Sequence, residues 1–177
     1  MTSEIIIKYH EITDFGLLSD SERILMDKAI KISKSAYAPY SQFYVGVAMI
    51  LENNEIIIGN NQENASFPCG VCAERVALST ANTNYPNIKI KTVAITATSK
   101  NFNLLEPVGP CGLCRQVLIE SESRQNYNIE LLLFNDNKVV KFASAKDLLP
   151  FYFNEKNLKE LNNEKYIYTF FTLFLLN

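Results

Sequence analysis

Cys69, Cys72, Cys111 and Cys114 stand as two Cys-x-x-Cys pairs separated by residues 73–110. Thiolates at this spacing are metal ligands, and zinc is their usual occupant. A disulfide framework is not expected, because the opening residues Met1-Thr2-Ser3-Glu4-Ile5-Ile6-Ile7-Lys8 lack the basic and long apolar regions of an export signal. A thioredoxin-like redox centre needs one pair and leaves the other without a task. Two pairs allow a closed site of four thiolates, or an open site of three with a position left for water. By spacing alone the closed site is favoured, but the neighbouring residues point the other way. Glu74 follows Cys72 by two residues, a rotation of about 200° on an ideal helix. Both side chains therefore reach one cation only if it lies off the helix end. A carboxylate held there, near the metal but not on it, is placed to shuttle the protons of a water.

The elements that must position these groups follow from periodicity. Helices are expected over 73–81 and 113–122, each opening just after a cysteine. Helix N-termini favour thiolate, since unpaired N–H groups and the macrodipole attract negative charge. A further amphipathic helix is expected over 21–36, with Ile24, Leu25, Lys28, Ala29, Ile32 and Ala36 on one stripe and Ser19 or Asp20 as its cap. Pro39 ends it. Residues 43–51 and 55–58 read as a hairpin turning at Asn53-Asn54, and 91–98 and 129–134 as buried strands. Short helices are expected over 144–149 and 155–161. This order implies an α/β fold, a single domain over residues 1–177 with a mixed β-sheet flanked by helices.

Composition narrows the function classes. The 177 residues are 47% apolar and 20% charged, with six Gly and six Pro, as in an ordinary globular chain. Lys plus Arg is 17 against 19 Asp plus Glu, a net charge of −2, so no basic stripe for a nucleic-acid backbone is expected. His10 is the one histidine, which excludes machinery needing two. The longest apolar stretch, 166–176, falls short of the roughly 20 residues of a membrane span and reads as a strand or helix packed on the body or on another subunit. A soluble, cytoplasmic chain is expected.

Three runs now combine: Asn61-Gln62-Glu63-Asn64-Ala65-Ser66-Phe67, Cys72-Ala73-Glu74-Arg75 and Pro110-Cys111-Gly112-Leu113-Cys114-Arg115-Gln116. Together they resemble the free-nucleoside cytidine deaminases, within the zinc deaminases whose C/H-x-E and P-C-x-x-C signature is already established. The likeness extends from Tyr37-Ala38-Pro39-Tyr40-Ser41 to Leu148-Leu149-Pro150 and Phe153, covering residues 20–160 or so. It implies a three-layer cytidine-deaminase-like fold and one Zn2+ per subunit on Cys72, Cys111 and Cys114. It further implies Glu74 as general acid/base, and Arg75 and Arg115 as donors to the sulfurs. Asn61 and Glu63 match the residues that bind the ribose hydroxyls, Phe43 an aromatic stacked on the base, and Ala73 a backbone contact to it. Phe153 matches an aromatic that enters a partner's pocket in a homotetramer with shared active sites. The implied reaction is hydrolysis of cytidine and deoxycytidine to uridine and deoxyuridine, a step of pyrimidine salvage, with no nucleic acid or membrane as partner.

Read without the resemblance, Asn61 is a turn residue, Glu63 a solvated carboxylate and Phe43 a core residue alternating with Val45 and Val47; Arg75 and Arg115 are surface ion-pair partners. Some residues depart from the pattern. Phe67 stands where the family often has Tyr, Cys69 has no place among three ligands, and residues 1–18 and 162–177 lie outside the likeness. Two competing readings are a non-catalytic four-cysteine zinc module and a deaminase of another cytosine-containing small molecule.

Overall fold

The computed structural model describes residues 2–154 and Leu158. The strands are β1 (His10–Ile12), β2 (Phe43–Leu51), β3 (Ile56–Asn60), β4 (Ile90–Ser99), β5 (Glu130–Phe134) and β6 (Val139–Phe142), and the helices are α1 (Asp20–Ser33), α2 (Ala73–Asn84) and α3 (Gly112–Gln125). All six strands join one sheet in the order β1-β6-β5-β4-β2-β3. The β4–β5 pair is parallel and the others are antiparallel, the mixed sheet that the element order predicts. No helix among the described residues is long and apolar enough to cross a membrane.

Alternation along the strands builds two cores. Val47, Met49, Leu51, Val93, Ile95, Leu131 and Leu133 pack with Ala73, Ala77 and Leu78 of α2 and Leu118 and Ile119 of α3. Ala48, Ala94, Leu132 and Phe134 point the other way, against Leu25, Met26 and Ala29 of α1. The result is three layers: α1, the sheet, then α2 with α3.

Two glycines set how closely the helices approach. A Cβ on Gly46 would lie 2.0 Å from the Ala29 carbonyl oxygen and 2.8 Å from the Ser33 Cβ, so α1 rests its backbone on β2. This seat turns the helix from the expected stripe. Leu25, Met26, Ala29 and Ser33 are buried, whereas Ile24 and Lys28 are exposed, because the small residues must face Gly46. A Cβ on Gly59 would lie 2.5 Å from the Ala73 oxygen and 2.6 Å from the Ala77 nitrogen. The first turn of α2 is thereby pressed onto β3, and with it the segment bearing Cys72 and Glu74.

Other elements differ from expectation at their ends. Ser19 caps α1 in a reciprocal capping box with Glu22. Asn54, at φ 66°, turns the β2–β3 hairpin at the expected place. β1 and β6 are not foreseen, since runs of three and four residues carry too little alternation to read. Part of the 1–18 extension thus joins the sheet, with Tyr9 stacked 5.7 Å from Phe142 and His10 exposed. The helix expected over 144–149 is a 3-10 turn, Ala145–Leu148, capped by Ser144. The helix over 155–161, Leu158 excepted, and the apolar run 166–176 lie outside the described residues.

Candidate active site

The three cysteines are brought together by two helix starts. Cys72 is the N-cap of α2 and Cys111 the N-cap of α3, and neither caps its helix through the side chain. Ser, Thr, Asp or Asn at an N-cap would turn its oxygen onto the helix N–H groups; here both sulfurs face outward into one space. Cys114 adds a third sulfur from the first turn of α3. The sulfurs of Cys72 and Cys111 are 3.9 Å apart and those of Cys111 and Cys114 3.5 Å, with all three within 4.8 Å of one another. A tetrahedral zinc with Zn–S bonds near ~2.3 Å separates its sulfurs by about 3.8 Å, so the donor set fits that ion. Cys69 closes an exposed 3-10 turn, Phe67–Cys69, and its sulfur is not part of the group.

Charge is shared unevenly across this cluster. The hydrogen bond from the Cys114 thiol brings the Cys72 thiol down to about 6, against the opposing effects of burial and of Glu74, and the Arg75 charge assists. Cys114 is pushed up in return, by the same bond and by burial. Glu74, in the first turn of α2, is 5% exposed. Burial raises its pKa, and the Cys114 thiol is within its hydrogen-bonding reach. A carboxyl so placed holds a proton more readily than one in water.

Arg115 does not bond the sulfurs as the sequence suggests. Its Nε donates to the Pro110 carbonyl and its NH1 to the Leu148 carbonyl, each at 2.8 Å. The guanidinium therefore braces the turn ahead of Cys111, a task the carbonyl partners decide.

The ribose candidates lie in a knitted segment in front of α2. Gln62 pairs with both Tyr37 and Val71, and the Glu63 N–H donates to the Tyr37 carbonyl at 2.8 Å. Asn61 spends its amide on β2: Oδ1 accepts from Val45 N–H at 2.7 Å and Nδ2 donates to the Phe43 carbonyl at 2.9 Å. Glu63 accepts from the backbone N–H groups of Tyr40 at 2.9 Å and Ser41 at 3.3 Å. Hydrogen bonding, led by the Ser41 side chain, holds its carboxyl below the usual range. Glu63, Tyr40, Ser41, Asn64, Phe67 and Gly70 line a cleft of about 420 Å³. Phe43 is half-buried at the start of β2, its ring 6.4 Å from that of Phe102. Ala73 is fully buried at the head of α2. Phe153 is 57% exposed, while its carbonyl accepts from Gln116 Nε2 at 2.8 Å.

Residues 19–129 match the family described as the cytidine and deoxycytidylate deaminase zinc-binding region. The chain belongs to this family. It is 33% identical over 138 residues to the cytidine deaminase of Halalkalibacterium halodurans, covering 78% of this chain and 98% of that one. Against the cytidine deaminase of Mycoplasma genitalium it is 36% identical over 118 residues, covering 67% and 84%. Its fold superposes on the crystal structure of cytidine deaminase from Burkholderia pseudomallei with a TM-score of 0.64 at 35% identity, covering 74% of this chain and 98% of that one. Cytidine deaminase from Mycobacterium tuberculosis gives a TM-score of 0.56 at 28% identity, covering 75% and 96%.

Within this deaminase fold, several residues around the site escape sequence reasoning. Gln116 ties the segment after Leu149 to α3, Phe102 faces Phe43, and Asn60 Nδ2 donates to the Ile32 carbonyl at the end of α1, 3.1 Å away. Their partners are distant in sequence, so no local pattern marks them.

Proposed function

We propose that this chain hydrolyses cytidine and deoxycytidine to uridine and deoxyuridine, releasing ammonia. The observation that carries the reading is the three-sulfur group at two helix starts with the buried Glu74 beside it. One zinc ion per subunit, on Cys72, Cys111 and Cys114, supplies Lewis acidity that lowers the pKa of a water toward about 7. Glu74 takes the proton of the attacking water and delivers it to N3 of the base, making C4 electrophilic. Once the oxygen has added at C4, Glu74 takes the second proton from the new hydroxyl and passes it to the exocyclic amine. The C4–N bond breaks, ammonia leaves, and the oxygen remains as the carbonyl of the product. A pKa raised by burial suits a group that must both take and give this proton.

Three thiolates on a divalent ion leave a net negative charge, and Arg75, whose charge acts on Cys72, withdraws part of it. Asn61 and Glu63 bind the sugar hydroxyls through the positions their backbone partners leave open, the second Nδ2 hydrogen and Oδ1 lone pair of Asn61 and Oε1 of Glu63. Phe43 stacks on the base, and the Ala73 backbone contacts its edge. Residues 1–177 act as a single cytoplasmic domain in a homotetramer. The exposed Phe151 and Phe153 are suited to meet a partner's site. The test is incubation of zinc-loaded protein with each nucleoside. Loss of the cytosine absorbance with an equal release of ammonia is expected; a folded, zinc-replete chain that leaves both nucleosides intact contradicts the reading.

A further inference from the structure

The connection between β4 and α3 runs from Lys100 to Cys111, touching the base side of the site at one end and the metal side at the other. At its start, Phe102 faces Phe43 with ring centroids 6.4 Å apart, within the range of a favourable aromatic pair. At its end, Arg115 holds the Pro110 carbonyl. Between them, residues 102–109 are hydrogen-bonded or ion-paired to the rest of the chain only through Asn135 and Lys138, among the described residues. Asn135 Nδ2 donates to the carbonyls of Leu104 at 3.2 Å and Leu105 at 3.1 Å. Its Oδ1 accepts the N–H groups of Asn137 and Lys138, both at 3.0 Å, and so closes the β5–β6 turn. Lys138 Nζ lies 2.6 Å from Glu106 Oε2. Every hydrogen-bonding position of the Asn135 amide is used, two on its own turn and two on the loop.

We infer that Asn135 is a positioning residue for substrate binding. It holds residues 104–105 so that Phe102 backs the Phe43 ring, while the metal end of the loop keeps its own anchor in Arg115. The inference rests on the proposed deamination and on Phe43 as the base-stacking residue. It separates two effects: loosening the loop weakens nucleoside binding and leaves zinc binding untouched.

Asn135→Asp isolates the grip, since it keeps an acceptor for the turn but turns a carboxylate oxygen toward two carbonyls. KM for cytidine is expected to rise about tenfold, the scale of losing one or two net hydrogen bonds, with kcat within about twofold. Zinc content after dialysis is expected to match the wild type, and amide exchange in 102–109 to quicken. Phe102→Ala is expected to raise KM similarly, and the double variant to be no worse than either single one, because both act through one contact. An unchanged KM in Asn135→Asp, a fall in kcat with KM preserved, loss of zinc, or additive effects in the double variant each overturn the inference. A wild type inactive on cytidine instead overturns the functional reading and, with it, this role.

Discussion

Cys72 and Glu74 straddle the first turn of α2, with one at the cap and the other buried behind it, which lets the proposed proton shuttle and cation meet. That placement was legible in the sequence, since a two-residue step at a helix start leaves few geometries. The spacing of the two pairs alone did not decide between three and four sulfurs; Glu74 and the family likeness pointed to three, and the 3-10 turn that sets Cys69 apart has no clear signal of its own. Cys69→Ala is therefore expected to keep its zinc and to change stability by less than about 1 kcal/mol. Cys114→Ala is expected to lose the metal on dialysis, read by elemental analysis of the folded protein. Arg115 marks the limit of reading at this scale: its type suggested a sulfur donor, and its partners are backbone carbonyls from two other segments.

Elements carried by long alternating runs were readable, and elements fixed by distant contacts were not. β2 spans the expected 43–51, for its residues alternate between two buried faces. α1 is rotated from its expected stripe by the close approach at Gly46. β6 emerges through its pairing with β5 and β1, and through Lys141, which bonds Glu22 of α1 at 2.8 Å and Glu130 of β5 at 2.9 Å. Burial opposes the charge on Glu22, but the Lys141 and Ser19 hydrogen bonds outweigh it and lower its pKa. A carboxyl lowered on folding stabilises the chain above its unfolded pKa of about 4.3 and loses that stabilisation as pH falls through the folded value. Glu22→Gln is thus expected to cost about 1–2 kcal/mol at neutral pH through lost cap and ion pair, with the gap to wild type narrowing below pH ~4 in thermal melts. Glu122 of α3 is fully buried and accepts from Ile129 N–H at 2.9 Å, Ala145 N–H at 2.7 Å and the Ser144 hydroxyl at 2.6 Å. Glu122→Leu strands all three donors and is expected to cost roughly 3 kcal/mol or more in urea denaturation, whereas Glu122→Gln, which retains an acceptor, costs less than half of that.

At the scale of the whole molecule, the three layers were legible from element order, while the proposed homotetramer draws its support from exposed apolar side chains. Phe151 is 94% exposed, and Phe67, Leu113 and Phe153 are also exposed, large apolar side chains that subunit contacts in the proposed homotetramer would cover. Light scattering is expected to give a homotetramer, and Phe153→Ala to raise KM without loss of zinc; a fully active smaller species contradicts shared sites. The central claim is that the three sulfurs and Glu74 form one deaminating site. It is tested most directly by following cytidine absorbance with the zinc-loaded wild type beside Glu74→Gln. Conversion by the wild type is expected, with a loss of at least about 10²-fold in kcat in a folded variant that still holds zinc, the scale of removing a general acid/base. Equal conversion by both proteins, or none by a zinc-replete wild type, contradicts it.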